Sequence, residues 1–383
     1  MPRSPGWTAL LAATAAVGIA NSVVFSLLSD LQDRYGFADS GLGLIAGGGM
    51  AVGFVSQLVL APLADRGHSK RLLLAGLLAA LVGSVVFAAS STLLGFVIAR
   101  AITGLSNGLF LPAARAIAAS MSDDRVGEHL GTLGGVELAG FVTGPVIGGV
   151  LVGPLGVRWP FLVCGIAAVA ALAALARQHL PTPPIGTHTS RLSLDLLRVR
   201  EMQVGVLLTM ALFFPVGMYD AILDRYMTDR GASNVLIGIG FLMYGIPFAL
   251  LATTGGRLAD RHGAYRASMI SLVLVAPLTM LYGLLTVPLL ILGVFAVEGS
   301  VQALGVPATQ AFVARAAPLG RGSAAQGLSG AMNLLGATVS AVVAPAVYGR
   351  WGAATVFAAA GALVALAGGA AAALHRSAAP LST

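Results

Sequence analysis

Charge is what this sequence has least of. Only 10% of its 383 residues are Asp, Glu, Lys or Arg, against about 25% in a soluble domain. So few charges cannot cover a water-facing surface of this size, so most of the surface must face lipid. Cysteine is nearly absent too. Cys164 is the only one, in an apolar run, which excludes an internal disulfide and a C-x-x-C metal pair. His68, His129, His179, His188, His262 and His375 all fall in polar segments or at the ends of apolar runs. No intramembrane histidine relay and no metal are expected. The formal charge is +7, but the basic residues are scattered over short loops, which argues against nucleic acid as a partner.

What remains is apolar: 57% of the chain, with 50 glycines. A helix needs about 20 apolar residues to cross a bilayer. That rule predicts an all-α membrane protein with twelve transmembrane helices, near 7–29, 41–63, 72–90, 93–118, 129–152, 159–177, 203–224, 235–258, 267–285, 288–313, 323–346 and 354–374. The first run is read as a span rather than a cleaved signal, because it continues to Leu28 with only Arg3 before it. Residues 178–202 carry Pro181, Pro183, Pro184 and Gly186, the composition of a linker. Leu192 to Arg198 within it has the pattern of a short amphipathic surface helix. The chain thus divides into six-helix bundles at 1–177 and 203–383. With both termini cytoplasmic, fifteen basic residues lie inside and five outside. That satisfies the positive-inside rule and predicts a multi-pass protein of the cell inner (plasma) membrane.

The halves repeat. Asp65-Arg66 and Asp260-Arg261 stand 195 residues apart, and at that offset Gly36, Gly43, Gly104, Pro112 and Gly127 meet Gly231, Gly238, Gly299, Pro307 and Gly322. Gly156 and Phe161 meet Gly352 and Phe357 one residue later. Two copies of one bundle are therefore expected in pseudo-symmetric arrangement, as in transporters built from parallel repeats.

The twelve spans, the central linker and the loop Gly256-Arg257-Leu258-Ala259-Asp260-Arg261-His262-Gly263 resemble the major facilitator superfamily. The first copy, around Asp65, Arg66 and Arg71, departs from the family pattern: Ala61 and His68 stand where glycines are expected. A second match is Gly140-x-x-x-Gly144-Pro145-x-x-Gly148-Gly149 in the fifth span. It is similar to the motif of the family's drug:proton antiporters. Gly140, Gly144 and Gly148 form one bare stripe for close packing, and Pro145 removes a backbone bond. Arg100 and Gly104 in the fourth span match a third motif, whose arginine is implicated in proton coupling.

Ionisable residues inside a span cost about 2.5–3.5 kcal/mol on insertion scales, so each is a functional candidate. They are Arg100, Glu137, Asp220 and Glu298, with Glu298 the first choice for the protonatable carboxylate. An Arg100–Glu298 or Arg100–Glu137 pair is the expected coupling element. Asn21, Asn107, Tyr219 and Gln302 are the substrate-contact candidates. Asp65 and Asp260 are expected to reach helix starts near Ser323 and His129 respectively, with Arg115 as an extra partner of Asp65. The glycines of the Asp65 copy are taken as lost, which would leave the Asp260 contact the tighter one. No Walker loop, kinase motif set or G-x-S-x-G elbow occurs, so neither an enzyme nor a bound cofactor is expected. The resemblance implies a secondary active transporter, with protons, a small amphipathic substrate and the lipid bilayer as partners, acting as a monomer. The alternative reading is an importer or facilitator of a metabolite or sugar.

Overall fold

The computed structural model describes residues 4–37, 40–183, 193–232 and 234–378. Residues 184–192 of the linker expected at 178–202 lie outside that set, among them Leu192 of the amphipathic segment. The remainder of that segment, Ser193–Arg198, is a 3₁₀ turn.

All regular structure among the described residues is helical. The helices are α1 (Pro5–Ser22), α2 (Leu28–Tyr35), α3 (Ser40–Leu63), α4 (Ser69–Ala89), α5 (Leu93–Ser120), α6 (Val126–Leu155), α7 (Trp159–Ala176), α8 (Arg200–Thr228), α9 (Asn234–His262), α10 (Ala264–Tyr282), α11 (Pro288–Ala316) and α12 (Gly322–Ala378). Nine stretches among the described residues are long and apolar enough to cross a membrane. Two of these exceed a single crossing. Gly47–Ala89 spans 43 residues and turns at Arg66–Gly67. Gly322–Ser377 spans 56 and breaks at Gly352 (φ 77°, ψ −179°).

The sequence repeat reappears as a backbone repeat. Gly36 (φ 68°) pairs with Gly231 (78°), and Gly156 (88°) with Gly352 (77°). The third pair corrects the reading of the first loop copy. Gly67 (φ 84°, ψ 10°) supplies a positive-φ glycine in the first copy, one position from where Gly263 (φ 94°, ψ 128°) supplies one in the second. The glycine has moved one position rather than vanished, because the turn needs a residue free of a Cβ at positive φ.

The chain forms two compact units. The first comprises 1–120, 136–193 and 318–327; the second comprises 121–135, 194–317 and 328–383. In the first, α3 packs on α5, and α4 on α5 and α7. In the second, α9 and α10 pack on α11. Matched glycines make the corresponding crossings possible. A Cβ on Gly104 would stand 2.2 Å from Gly49 O, and one on Gly299 2.2 Å from Tyr244 O.

The first span is not one helix, as residues 7–29 were expected to be. Ser4 caps Trp7 N at 3.2 Å and Pro5 starts α1. The helix then gives way to a 3₁₀ turn at Val23–Ser26 before α2. The Ser22 hydroxyl donates to Gly18 O (3.0 Å) and that of Ser26 to Val23 O (3.2 Å). Such side-chain bonds compete with the helical ladder and bend it. The glycine stripe of α6 lies against this break. A Cβ on Gly144 would come within 2.1 Å of Ser22 Oγ, and one on Gly148 within 2.1 Å of Ser26 Oγ. Gly140 abuts Ala15 in the same way, while Gly149 meets nothing within 4 Å.

Gly144→Val should therefore lower the stability of purified protein by about 1–3 kcal/mol, the range for forced overpacking. Gly149→Val should leave it unchanged. Thermal unfolding of both variants in the same detergent checks the contrast.

Candidate functional site

Three clusters of buried polar side chains stand out. The first comprises two carboxylates that grip helix starts. Asp65 lies in the turn Ala64–His68 between α3 and α4. Its Oδ1 accepts from Ser323 N at 2.7 Å and its Oδ2 from Ala324 N at 2.8 Å. Asp260, near the end of α9, accepts from Gly127 N at 2.8 Å and Glu128 N at 2.9 Å. These are amides of the first turns of α12 and α6, which have no intrahelical acceptor. A carboxylate there also meets the positive end of the helix dipole. Each contact lies within one compact unit: Asp65 with 318–327, Asp260 with 121–135.

The Asp260 contact carries ion pairs as well. Arg315 Nη2 sits 2.7 Å from Asp260 Oδ1, and Arg257 Nη2 2.9 Å from Glu128 Oε1. Gly256 is required here, since a Cβ on it would lie 1.8 Å from Gly127 O. In the first copy Ala61 occupies the matching position, and the bare residue is across the contact. A Cβ on Gly327 would come within 2.3 Å of the Ala61 Cβ. Hydrogen-bond lengths in the two copies differ by about 0.1 Å, so they give no sign that the second is tighter. Arg321 is the charge beside Asp65, and Arg115 is not. Burial raises the Asp65 carboxyl from 3.8 to about 6, against the two backbone N–H groups and Arg321, which lower it. Arg66, Arg71, Arg261 and Gly263 are exposed.

The second arrangement corrects the expected pairings. Glu137 bonds to Arg115, with Nη2 3.0 Å from Oε2 and 3.2 Å from Oε1, not to Arg100. Arg100 and Arg115 are fifteen residues apart on α5, about 22 Å at 1.5 Å per residue. A side chain on α6 reaches only the arginine at its own depth. Arg100 instead donates from Nη1 to Asn21 O at 2.6 Å and lies over the Phe25 ring at 4.9 Å. Asn21 thus belongs to the α1 break, and its amide donates to Val17 O at 3.0 Å.

The third cluster surrounds Glu298 of α11, which has no solvent exposure. Tyr219 Oη of α8 donates to Oε1 and Oε2 at 3.0 Å, and Tyr282 Oη of α10 donates to Oε2 at 2.8 Å. Phe295 stands edge-on to the Tyr219 ring at 5.5 Å. Among the described residues no cation lies within ion-pair distance of Glu298. Gln302 is buried and donates to Leu212 O at 3.0 Å. Asp220 is exposed and Asn107 half-buried. Tyr282 was not among the sequence candidates. Its one sequence signal was being a tyrosine at the end of an apolar run facing, across a short turn, the run that holds Glu298.

The sequence pattern of the Major Facilitator Superfamily matches residues 10–219 and again 205–382. The chain belongs to that superfamily. It is a multi-pass membrane protein, and the superfamily's members are transporters rather than enzymes. It is 28% identical over 372 residues to the uncharacterised MFS-type transporter YwfA of Bacillus subtilis, covering 91% of this chain and 86% of that one. It is 24% identical to the multi-drug resistance efflux pump PmrA of Streptococcus pneumoniae, over 66% of this chain and 67% of the pump. With the quinolone resistance protein NorA of Staphylococcus aureus it shares 26% identity, over 56% and 55%. The crystal structure of the human organic anion transporter MFSD10 (TETRAN) superposes with a TM-score of 0.83 at 19% identity, covering 97% of this chain and all of that one. At that identity the likeness concerns the fold.

The helix-start contacts lead to a paired prediction. Asp65→Asn should speed amide exchange at Ser323 and Ala324 about 10- to 100-fold, the loss of roughly 1.5–3 kcal/mol of hydrogen bonding to a charged group, and leave Gly127 and Glu128 unchanged. Asp260→Asn should do the reverse. Hydrogen exchange read by mass spectrometry checks both.

Proposed function

We propose that this transporter exports small amphipathic compounds in exchange for protons, by alternating access. The observation that carries this is Glu298, a carboxylate buried inside an apolar helix, hydrogen-bonded by Tyr219, Tyr282 and Gln302 with no counter-ion among the described residues. Such a group is costly to keep charged in the membrane. A site that alternates between charged and neutral can couple proton flow to a conformational change. The α6 glycine stripe and the likeness to efflux pumps point the same way.

In this reading the chain makes twelve crossings as two six-helix bundles, 1–177 and 203–383, joined by the linker 178–202. Both termini are cytoplasmic, the membrane is the plasma membrane, and the protein acts as a monomer. Glu298 carries the proton, with Asp220, Arg100 and Glu137 as further charged residues along the helices. Tyr219, Gln302, Asn107 and Asn21 stay candidates for substrate contact; Gln302 and Asn21 would first have to release the backbone carbonyls they hold. Asp65 and Asp260 act as latches: each holds a helix start while the cytoplasmic side is closed and lets go when it opens. Arg66, Arg71 and Arg261 flank these latches.

Cells that express the protein should accumulate less ethidium than cells without it, and a proton uncoupler should remove the difference. In proteoliposomes, Glu298→Gln should reduce pH-gradient-driven ethidium exchange at least about tenfold, the loss of roughly 1.4 kcal/mol or more of coupling free energy. Equal or greater accumulation in expressing cells contradicts export and supports the importer reading.

A further inference from the structure

The hydrogen-bond partners of Glu298 differ in how firmly they are held. Tyr219 lies in the body of α8, and Gln302 lies one turn beyond Glu298 on α11 itself. Tyr282 is the last residue of α10, with Gly283 next. Helix ends fray. Yet Tyr282 Oη stands 2.8 Å from Glu298 Oε2, so that end needs a hold from outside α10.

Two side chains at the end of α8 supply it. The Tyr226 hydroxyl, with no solvent exposure, donates to the backbone carbonyl of Tyr282 itself. That carbonyl otherwise receives only the turn bond from Leu285 N at 3.2 Å. Arg230 Nε donates to Leu285 O at 2.7 Å, and Nη1 to Tyr226 O at 3.0 Å. The Arg230 guanidinium also lies over the Tyr226 ring at 3.7 Å, which fixes the phenol. Carbonyls at a helix end lack intrahelical partners, so these donors form a cap provided by a neighbouring helix.

We propose that Tyr226 and Arg230 are positioning residues, which hold the end of α10 so that Tyr282 Oη meets Glu298. The internal repeat supports this. At the offset of 195, Tyr219, Tyr226, Tyr282 and Glu298 meet Val24, Leu31, Phe87 and Thr103. The match extends to packing: Phe87 lies 4.6 Å from Phe161, as Tyr282 lies 5.6 Å from Phe357. Where the carboxylate is absent, all three phenols are replaced by apolar side chains. Tyr226 follows that pattern although its hydroxyl bonds backbone rather than the carboxylate.

The consequence for transport rests on Glu298 being the proton carrier. A hydroxyl that donates to a carboxylate strengthens the ionised form. Slack at the end of α10 loosens that bond and changes the balance of charge states without any change at Glu298. The other titratable groups near Glu298 are Asp220 on α8 and Tyr244 on α9. Those beside the cap are Arg225, Asp229 and Tyr348. Tyr348 Oη donates to Asp229 Oδ2 at 2.7 Å, and Arg225 Nε lies 2.9 Å from Asp229 Oδ1. These groups engage one another rather than Tyr282.

The test is a double-mutant cycle, read by infrared difference spectroscopy of purified full-length protein during a pH titration. The carboxyl band of Glu298 is assigned by its loss in Glu298→Gln. Tyr282→Phe should shift the midpoint of that band by about one unit. Tyr226→Phe keeps the ring and should shift it to the same side roughly half as far, since the donor is misplaced rather than removed. With Tyr282→Phe already present, Tyr226→Phe should shift it no further. Arg230→Lys keeps the charge but not the grip on two carbonyls, and should act as Tyr226→Phe does. No shift in Tyr226→Phe, or the same shift with and without the Tyr282 hydroxyl, overturns the positioning role; general loosening gives the second pattern. A Glu298 band that does not titrate overturns both that role and the proton-carrier reading. The expected cycle together with pH-independent ethidium exchange supports the positioning role and rejects proton coupling.

Discussion

A polar group removed from water must find its partner within the protein, and in a membrane-crossing chain that constraint governs nearly every conspicuous side chain. Leaving a buried donor or acceptor unmade costs about 1–3 kcal/mol, and more when it is charged. Glu298 meets the demand with two tyrosine hydroxyls. Glu137 meets it with Arg115. Arg100 meets it only in part: its Nη1 reaches a backbone carbonyl where α1 breaks, while its buried Nε has no partner among the described residues. Asp65 and Asp260 satisfy two needs at once, since the helix starts they hold would otherwise present unpaired amides.

Those partnerships require backbones to come close, and the glycines supply the clearance. Gly256 and Gly127 approach so tightly that neither tolerates a Cβ, and this brings the α6 start within reach of Asp260. Gly144 and Gly148 accept the Ser22 and Ser26 hydroxyls at the α1 break, the same break whose Asn21 carbonyl receives Arg100. The fifth-span motif and the buried arginine are thus linked through one irregular turn. Small residues matter here because helices in lipid gain their association from close packing rather than from apolar burial.

Much of this was legible in the sequence. Length and hydropathy place helices because a crossing has a fixed apolar length. The 195-residue offset marks equivalent positions because positive-φ turns and close crossings admit only glycine. The aspartates pointed to helix starts because charge next to a glycine-bearing turn has few other partners. What was illegible depends on depth and rotation. Arg100 and Arg115 look interchangeable in a string of letters, yet the rise along α5 assigns Glu137 to only one of them. Tyr282 carries no signature until α10 is seen to lie against α11. Gly67 was misread because the positive-φ glycine of a turn can sit one residue along, here with a different ψ. The α1 break arises from serines that, in sequence, look like ordinary small residues in a span.

The central claim is that proton flow and substrate export are coupled through Glu298, and linkage makes such coupling measurable at equilibrium. The direct measurement is proton release when ethidium is added to purified protein in weakly buffered detergent solution, near the pH at which Glu298 changes charge. The account predicts release that saturates with ethidium binding and disappears in Glu298→Gln. Ethidium binding without proton release, equal in both proteins, would contradict it.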